Sequence, residues 1–199
     1  MVEELQSIER NQTWELVNLL DKKTKIDVKW VFKVKLNSDG QVSKYNARLV
    51  ARGFIQKQGI DYNEVFAPVA RIETVSLVIV ISCKYEWSLY HLYVKSTFLN
   101  GPLVELVFVS QPPGFEIAGK ENMVYKLHKA LYGLKQAPRA WNKKIDQVLI
   151  QIGFKKCSVE FGVYVQNLSD EETIIICLYV DDLLITGSST SEINKVKEN

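Results

Sequence analysis

The stretch ICLYVDDLLITG (residues 176–187) is an apolar run broken at its centre by two adjacent aspartates, Asp181 and Asp182. Leu178, Val180, Leu183 and Leu184 flank the pair. A carboxylate among such neighbours is costly unless a cation or water reaches it. The run reads as two strands meeting at a tight turn, with the carboxylates either on a solvated tip or on a metal ion. Successive side chains of a strand point to opposite faces, so one of the two aspartates is the expected main ligand. Mg²⁺ takes one or two carboxylates together with water and substrate phosphates. A two-metal phosphoryl-transfer centre needs a further carboxylate from a second element. A polar turn carries the same Asp-Asp pattern, so the rest of the chain has to decide.

Working outward, VEFGVYVQN (159–167), ETIIICLYV (172–180) and LLITG (183–187) read as strands, and SSTSEINKVKEN (188–199) as a capped helix. Pro138 opens a helix whose stripe is Trp141, Ile145, Val148, Leu149 and Ile152, with Gly153 placed to end it. LVELVFVS (103–110) is strand-like between the turn signals NGP and QPPG. ETVSLVIVISCKYEW (73–87) is ambiguous: its β-branched residues favour a strand, its length a buried helix. Near the start, MVEELQSIER spaces Val2, Leu5 and Ile8 as an amphipathic helix. KWVFKVKL, the turn NSDG (37–40) and VSKYNARLVARGF form a hairpin with one apolar and one basic face. Hairpins and helices in blocks make the fold class α+β.

The 199 residues suit one domain, or one domain with a smaller lobe. At 47% hydrophobic and 24% charged, the composition is that of a globular protein, neither disordered nor membrane-embedded. The net charge of +2 hides an uneven layout. Between Asp21 and Ile60 ten basic residues (Lys22, Lys23, Lys25, Lys29, Lys33, Lys35, Lys44, Arg48, Arg52, Lys57) face three acidic ones (Asp21, Asp27, Asp39). That segment reads as a polyanion-facing surface or a solvated hairpin face. Cys83, Cys157 and Cys177 form no CxxC pair and read as reduced thiols. His91 and His128 stand alone and read as polar packing. No leader-like segment and no apolar run near the roughly 20 residues of a membrane span is seen, so the expectation is a soluble, intracellular chain. Oligomeric state is not legible.

YVDD between apolar strands resembles the catalytic hairpin of reverse transcriptases. NQTWELV (11–17), KWVFKVK (29–35), NARLVARGFIQKQGIDYNEVFAPVAR (46–71), VKSTFLNG (94–101), QPPGF (111–115), LYGLKQAPRAW (131–141) and LYVDDLLITG (178–187) resemble the copia-type subgroup of LTR retrotransposons, in family order across essentially the whole chain. The resemblance implies the fingers and palm of a right-hand polymerase that copies RNA or DNA into DNA with two Mg²⁺ ions. Its implied partners are template–primer and dNTPs. Residues 1–70 would hold the N-terminal helix and fingers hairpin, and 71–199 mixed fingers and partial palm. With the chain ending at Asn199, the expectation is a palm cut shortly after the YVDD hairpin, without a thumb.

Carried over by position, Asp181 and Asp182 would bind metal, with Tyr179 and Val180 near the primer end. Phe98 matches the aromatic that family polymerases set against a ribonucleotide 2′-hydroxyl. Gly133, Leu134, Lys135, Gln136, Ala137 and Pro138 match the loop that supports the incoming base pair and template. Lys44, Arg48 and Arg52 are candidates for triphosphate or template phosphates. One position departs from the pattern. Where the family carries its other catalytic aspartate, this chain has Tyr93, whose phenol is neutral at pH 7 with a reference pKa of about 10. Lys95 has the wrong sign, Ser96 is a weak neutral ligand, and Glu105 lies beyond the NGP turn. The expectation is a catalytically defective reverse transcriptase, the alternative a non-catalytic nucleic-acid-binding or interaction fragment of such an element.

Overall fold

The computed structural model describes residues 1–169 and 171–198. In chain order the elements are α1 (Val2–Arg10), β1 (Trp14–Val17), β2 (Val28–Leu36), β3 (Val42–Ala51), α2 (Ile72–Lys84), β4 (Leu89–Tyr93) and β5 (Pro102–Val109). They continue with β6 (Val124–Lys129), α3 (Ala137–Gln151), β7 (Lys155–Lys156), β8 (Val163–Asn167), β9 (Thr173–Tyr179), β10 (Asp182–Gly187) and α4 (Thr190–Glu198). The class is α+β, as the sequence implies. Asn199, the last residue of the helix expected over 188–199, lies outside the described residues. Two compact units divide the chain: Met1–Phe66 with Phe98–Trp141, and Ala67–Thr97 with the chain from Asn142 onward.

In the first unit, period-two patterning does most of the work. β2 and β3 pair antiparallel with Val28 opposite Ala51, Trp30 opposite Leu49 and Lys35 opposite Lys44. Side chains alternate, so Val28, Trp30, Phe32, Val34 and Leu36 share one face, while Lys29, Lys33 and Lys35 share the other with Arg48 and Lys44. The root of the apolar face enters the core through Val28, Leu49 and Ala51. There it meets Ile8 of α1 and Val107, Val109 and Leu127 from a three-stranded sheet ordered β1-β6-β5. Trp14 and Tyr125 stack across that sheet with ring centroids 4.1 Å apart.

The second unit is built on a five-stranded antiparallel sheet, β4-β10-β9-β8-β7. Tyr164, Ile174, Ile176, Leu178, Leu183 and Ile185 are buried on one face. Each buried Ile or Leu contributes about 1.5–3 kcal/mol relative to exposure. On that side the Tyr164 hydroxyl donates to Asp146 of α3 at 2.7 Å, Ile193 of α4 is buried, and Lys197 of α4 lies 3.3 Å from the Tyr90 ring centroid. Burial and the Asp146 carboxylate together hold the Tyr164 phenol far above the ordinary tyrosine range.

The opposite face carries Val163, Cys177 and Leu184 under Val75 and Val78 of α2. This settles the ambiguous segment 73–87 as a helix. The i, i+3, i+7 spacing of Val75, Val78 and Ser82 lets one stripe cover the sheet, and that packing overrides the strand preference of the β-branched residues. The strand expected from residue 159 begins only at Val163. Glu160, before it, serves as an anchor, accepting from Thr74 Oγ1 at 3.1 Å and pairing with Arg71 at 3.6 Å. Among the described residues no helix is long and apolar enough to cross a membrane.

The cysteines report on this packing. Cys83 is exposed and Cys177 buried, and burial pushes the Cys177 thiol up to about 11. Thiolate is the reactive form. Under native conditions at pH 8, iodoacetamide followed by peptide mass mapping is expected to label Cys83 and spare Cys177 until urea is added. Equal labelling rates would contradict the placement of β9.

Candidate functional site

Each unit presents its own set of candidate residues. In the second unit, β9 and β10 join through a two-residue turn, Val180–Asp181, with Tyr179 directly opposite Asp182. Val180 has φ +56°, a left-handed conformation that costs a β-branched residue about 1–3 kcal/mol. The turn thereby separates the two aspartates. Asp181 sits at the tip, where its carbonyl accepts from the Val94 N–H at 2.9 Å. Asp182 opens β10 and faces Tyr93 across the β4 ladder.

Directly opposed residues share a face, so Asp182, Tyr93 and His91 (two residues back along β4) all lie on the side that α2 covers at its other end. Tyr93 is 50% exposed, and His91 Nε2 lies 2.8 Å from Asp182 Oδ1. Among the described residues, no three His, Cys, Asp or Glu side chains gather closely enough to hold a metal ion. His91, read from sequence as mere polar packing, is thus the direct partner of an expected metal ligand. The available signal was its two-residue spacing from Tyr93 on one strand.

In the first unit, Arg48 lies 4.7 Å above the Tyr132 ring, and Tyr132 meets Phe98 edge-to-face at 5.0 Å. Two expected nucleotide residues, Arg48 and Phe98, are therefore joined through a third that sequence reasoning quoted only as part of LYGLKQAPRAW. Lys44 pairs with Glu3 of α1 at 3.6 Å. Burial raises the Glu4 carboxyl above its ordinary value, opposed by the Leu49 N–H and by Arg48. The acidic start of α1 thus offsets part of the ribbon's charge. Arg52 is exposed, and its backbone N–H donates to Asp27 O at 2.8 Å.

Gln136, expected at the nucleotide, is 1% exposed and its amide is already used. Its Oε1 accepts from Gln56 Nε2 at 3.0 Å, and its Nε2 donates to Asp61 O at 3.1 Å. A buried amide left unpaired would cost about 1–3 kcal/mol, which explains the mutual arrangement. The Gln56 side chain also accepts from the Lys135 backbone N–H at 2.9 Å. Lys135 Nζ bonds Gln56 O and Tyr62 Oη, both at 3.3 Å. The two segments 53–62 and 133–136 are locked together, with Pro138 following in the first turn of α3.

Two glycines permit the lock. Gly133 has φ +91°, and a Cβ there would overlap the Ala51 carbonyl; a Cβ at Gly53 would overlap the Gly133 carbonyl. Gly133→Ala is expected to destabilise the chain by about 2–5 kcal/mol, combining left-handed strain with overpacking. Urea denaturation measures this, and a loss below about 1 kcal/mol would contradict the close approach.

A family model described as "Reverse transcriptase (RNA-dependent DNA polymerase)" matches residues 11–199. The retrovirus-related Pol polyprotein from transposon TNT 1-94 of Nicotiana tabacum is 42% identical over 197 residues, covering 99% of this chain and 15% of that protein. The retrovirus-related Pol polyprotein from transposon RE1 of Arabidopsis thaliana is 39% identical over 190 residues, covering 95% of this chain and 13% of that protein. A third, from transposon RE2 of the same plant, is 39% identical over 181 residues, covering 90% of this chain and 12% of that protein. The chain therefore spans 12–15% of the length of these curated relatives.

Proposed function

Because this chain belongs to the reverse transcriptase (RNA-dependent DNA polymerase) family, in its copia-type branch, we propose that it retains the nucleic-acid-binding features of such a domain while lacking its polymerase chemistry. The unit with the basic ribbon is the fingers, and the unit with the Asp181–Asp182 hairpin belongs to the palm. In the division carried by the resemblance, residues 1–70 hold the N-terminal helix and the fingers hairpin, and the rest is mixed fingers and partial palm. The ligands are a template–primer and dNTPs.

One observation carries the loss of chemistry: Tyr93 stands opposite Asp182. The family generally uses Mg²⁺, which would supply charge neutralisation and activate the attacking oxygen when bound. The donor set here does not fit two such ions. A phenol stands where a shared carboxylate is required, and Asp182 already pairs with His91 at 2.8 Å.

The remaining roles follow from what each side chain touches. Arg48 and the exposed lysines of the ribbon attract phosphate, with Arg52 a further phosphate contact. Phe98, braced by Tyr132, supplies the surface against a sugar 2′-position. Tyr179, 55% exposed beside Asp182, is the primer-side contact. Gln136 acts from inside, holding the Gly133–Lys135 loop in shape with Gln56.

Primer extension on an RNA template, with Mg²⁺ or Mn²⁺, tests this reading. The wild-type chain is expected to incorporate no nucleotide above background while still binding the template–primer with an affinity that falls steeply with salt. Tyr93→Asp is expected to raise incorporation by on the order of 10²-fold or more. Incorporation by wild type would overturn the loss of chemistry, and a silent Tyr93→Asp variant would remove position 93 as its cause.

A further inference from the structure

The helix α2 is apolar on more than the side it gives to the sheet. Val75, Val78 and Ser82 turn toward the strands, yet on the far side of the helix Leu77 is 57% exposed and Val80 62%. A helix that is apolar all round is ordinarily covered all round. The outer residues also follow an order. Glu73, Leu77, Val80 and Lys84 recur at intervals of four, three and four, which sets them along one line of the helix. The carboxylate stands at the N-terminal end of that line and the ammonium at the C-terminal end, about 16 Å further along the axis. Both are exposed, and among the described residues neither has an ion-pair partner. Ser76, beside the line, donates its hydroxyl to Ile72 O at 2.9 Å, so covering it strands no donor.

We propose that this outer stripe of α2 is a homodimer contact, packed antiparallel against the α2 of a second copy. The self-complementary order of the stripe carries the choice of occupant. A two-fold axis beside the helix midpoint, between Val78 and Ile79, sets Glu73 of one copy level with Lys84 of the other and Leu77 level with Val80. Each relation then occurs twice, giving two apolar layers between two ion pairs. A parallel pairing would instead set Glu73 against Glu73 and Lys84 against Lys84. A crossing angle near 20° keeps a stripe of this period in contact over about three turns. Any other partner would have to present the same order reversed; a second copy does so by symmetry. The contact is short, so the dimer is dissociable, with a dissociation constant on the order of 10–100 µM. Cys83, exposed on the flank of the stripe, stays open to reagent in the free chain. The stripe shares no residue with the metal and nucleic-acid candidates, so the contact does not depend on that reading.

Sedimentation equilibrium of the full chain from about 1 to 300 µM brackets this affinity. Wild type is expected to pass from monomer to dimer across the range. Glu73→Lys and Lys84→Glu, each alone, set like charge against like and are expected to weaken the dimer by about tenfold or more. An equimolar mixture of these two variants pairs opposite charges at both ends and is expected to dimerise near the wild-type affinity. The mixture separates charge pairing from damage to the helix, because a chain that merely unfolds is not rescued by another. Glu73→Lys/Lys84→Glu reverses both charges at constant net charge and is expected to dimerise alone. Leu77→Gln/Val80→Gln is expected to abolish the dimer. Circular dichroism and urea denaturation verify that each variant folds.

A wild-type chain that stays monomeric over the whole range would overturn the proposal. A dimer indifferent to Leu77→Gln/Val80→Gln would also overturn it, placing the contact on another surface. Single charge variants that dimerise as wild type, or that lose the dimer and do not regain it on mixing, would overturn the antiparallel order and with it the choice of a second copy.

Discussion

The antiparallel pairing of β4 with β10 is the constraint on which the second unit's chemistry depends. Leu92 opposes Leu183 and Tyr90 opposes Ile185, with Leu183 and Ile185 buried. That apolar face fixes the register, because a slip of one residue would turn Leu183 and Ile185 away from it and bring Asp182 and Leu184 onto it. Once fixed, the register leaves no freedom to the other face. Tyr93 must stand against Asp182, and His91 falls two residues behind it. The core therefore decides which groups meet at the hairpin, and it brings together one carboxylate, one phenol and one imidazole.

The first unit is organised differently. Its candidate residues are held by close backbone approach at Gly53 and Gly133 and by the buried Gln56–Gln136 pair, none of which depends on a metal ion. The Arg48–Tyr132–Phe98 stack likewise needs only packing and charge. The group at position 93 therefore bears on the hairpin of the second unit and leaves these contacts of the first untouched.

Much of this was legible in the sequence, for identifiable reasons. Alternation at period two exposed the β2–β3 ribbon, and the apolar run interrupted by Asp181 and Asp182 exposed the β9–β10 hairpin. The helix α2 was not legible because its β-branched residues argue locally for a strand; only the sheet beneath Val75 and Val78 selects the helix. The burial of Gln136 was also hidden, since its partners Gln56 and Asp61 are about 80 and 75 residues away in sequence. The partners of His91 and Tyr132 were hidden because a side chain's neighbours across a ladder or a stack are set by tertiary register. By contrast, the departure at Tyr93 is a matter of residue identity, and no structure was needed to see it.

The central claim is that the Asp181–Asp182 hairpin, with Tyr93 opposite, lacks a competent divalent-cation centre. Mn²⁺ titration followed by electron paramagnetic resonance, on wild type and Tyr93→Asp, tests it without recourse to activity. The account predicts no saturable Mn²⁺ site in wild type at sub-millimolar concentration and the appearance of one in Tyr93→Asp. Stoichiometric sub-millimolar binding by the wild-type chain, abolished by Asp181→Asn, would contradict it.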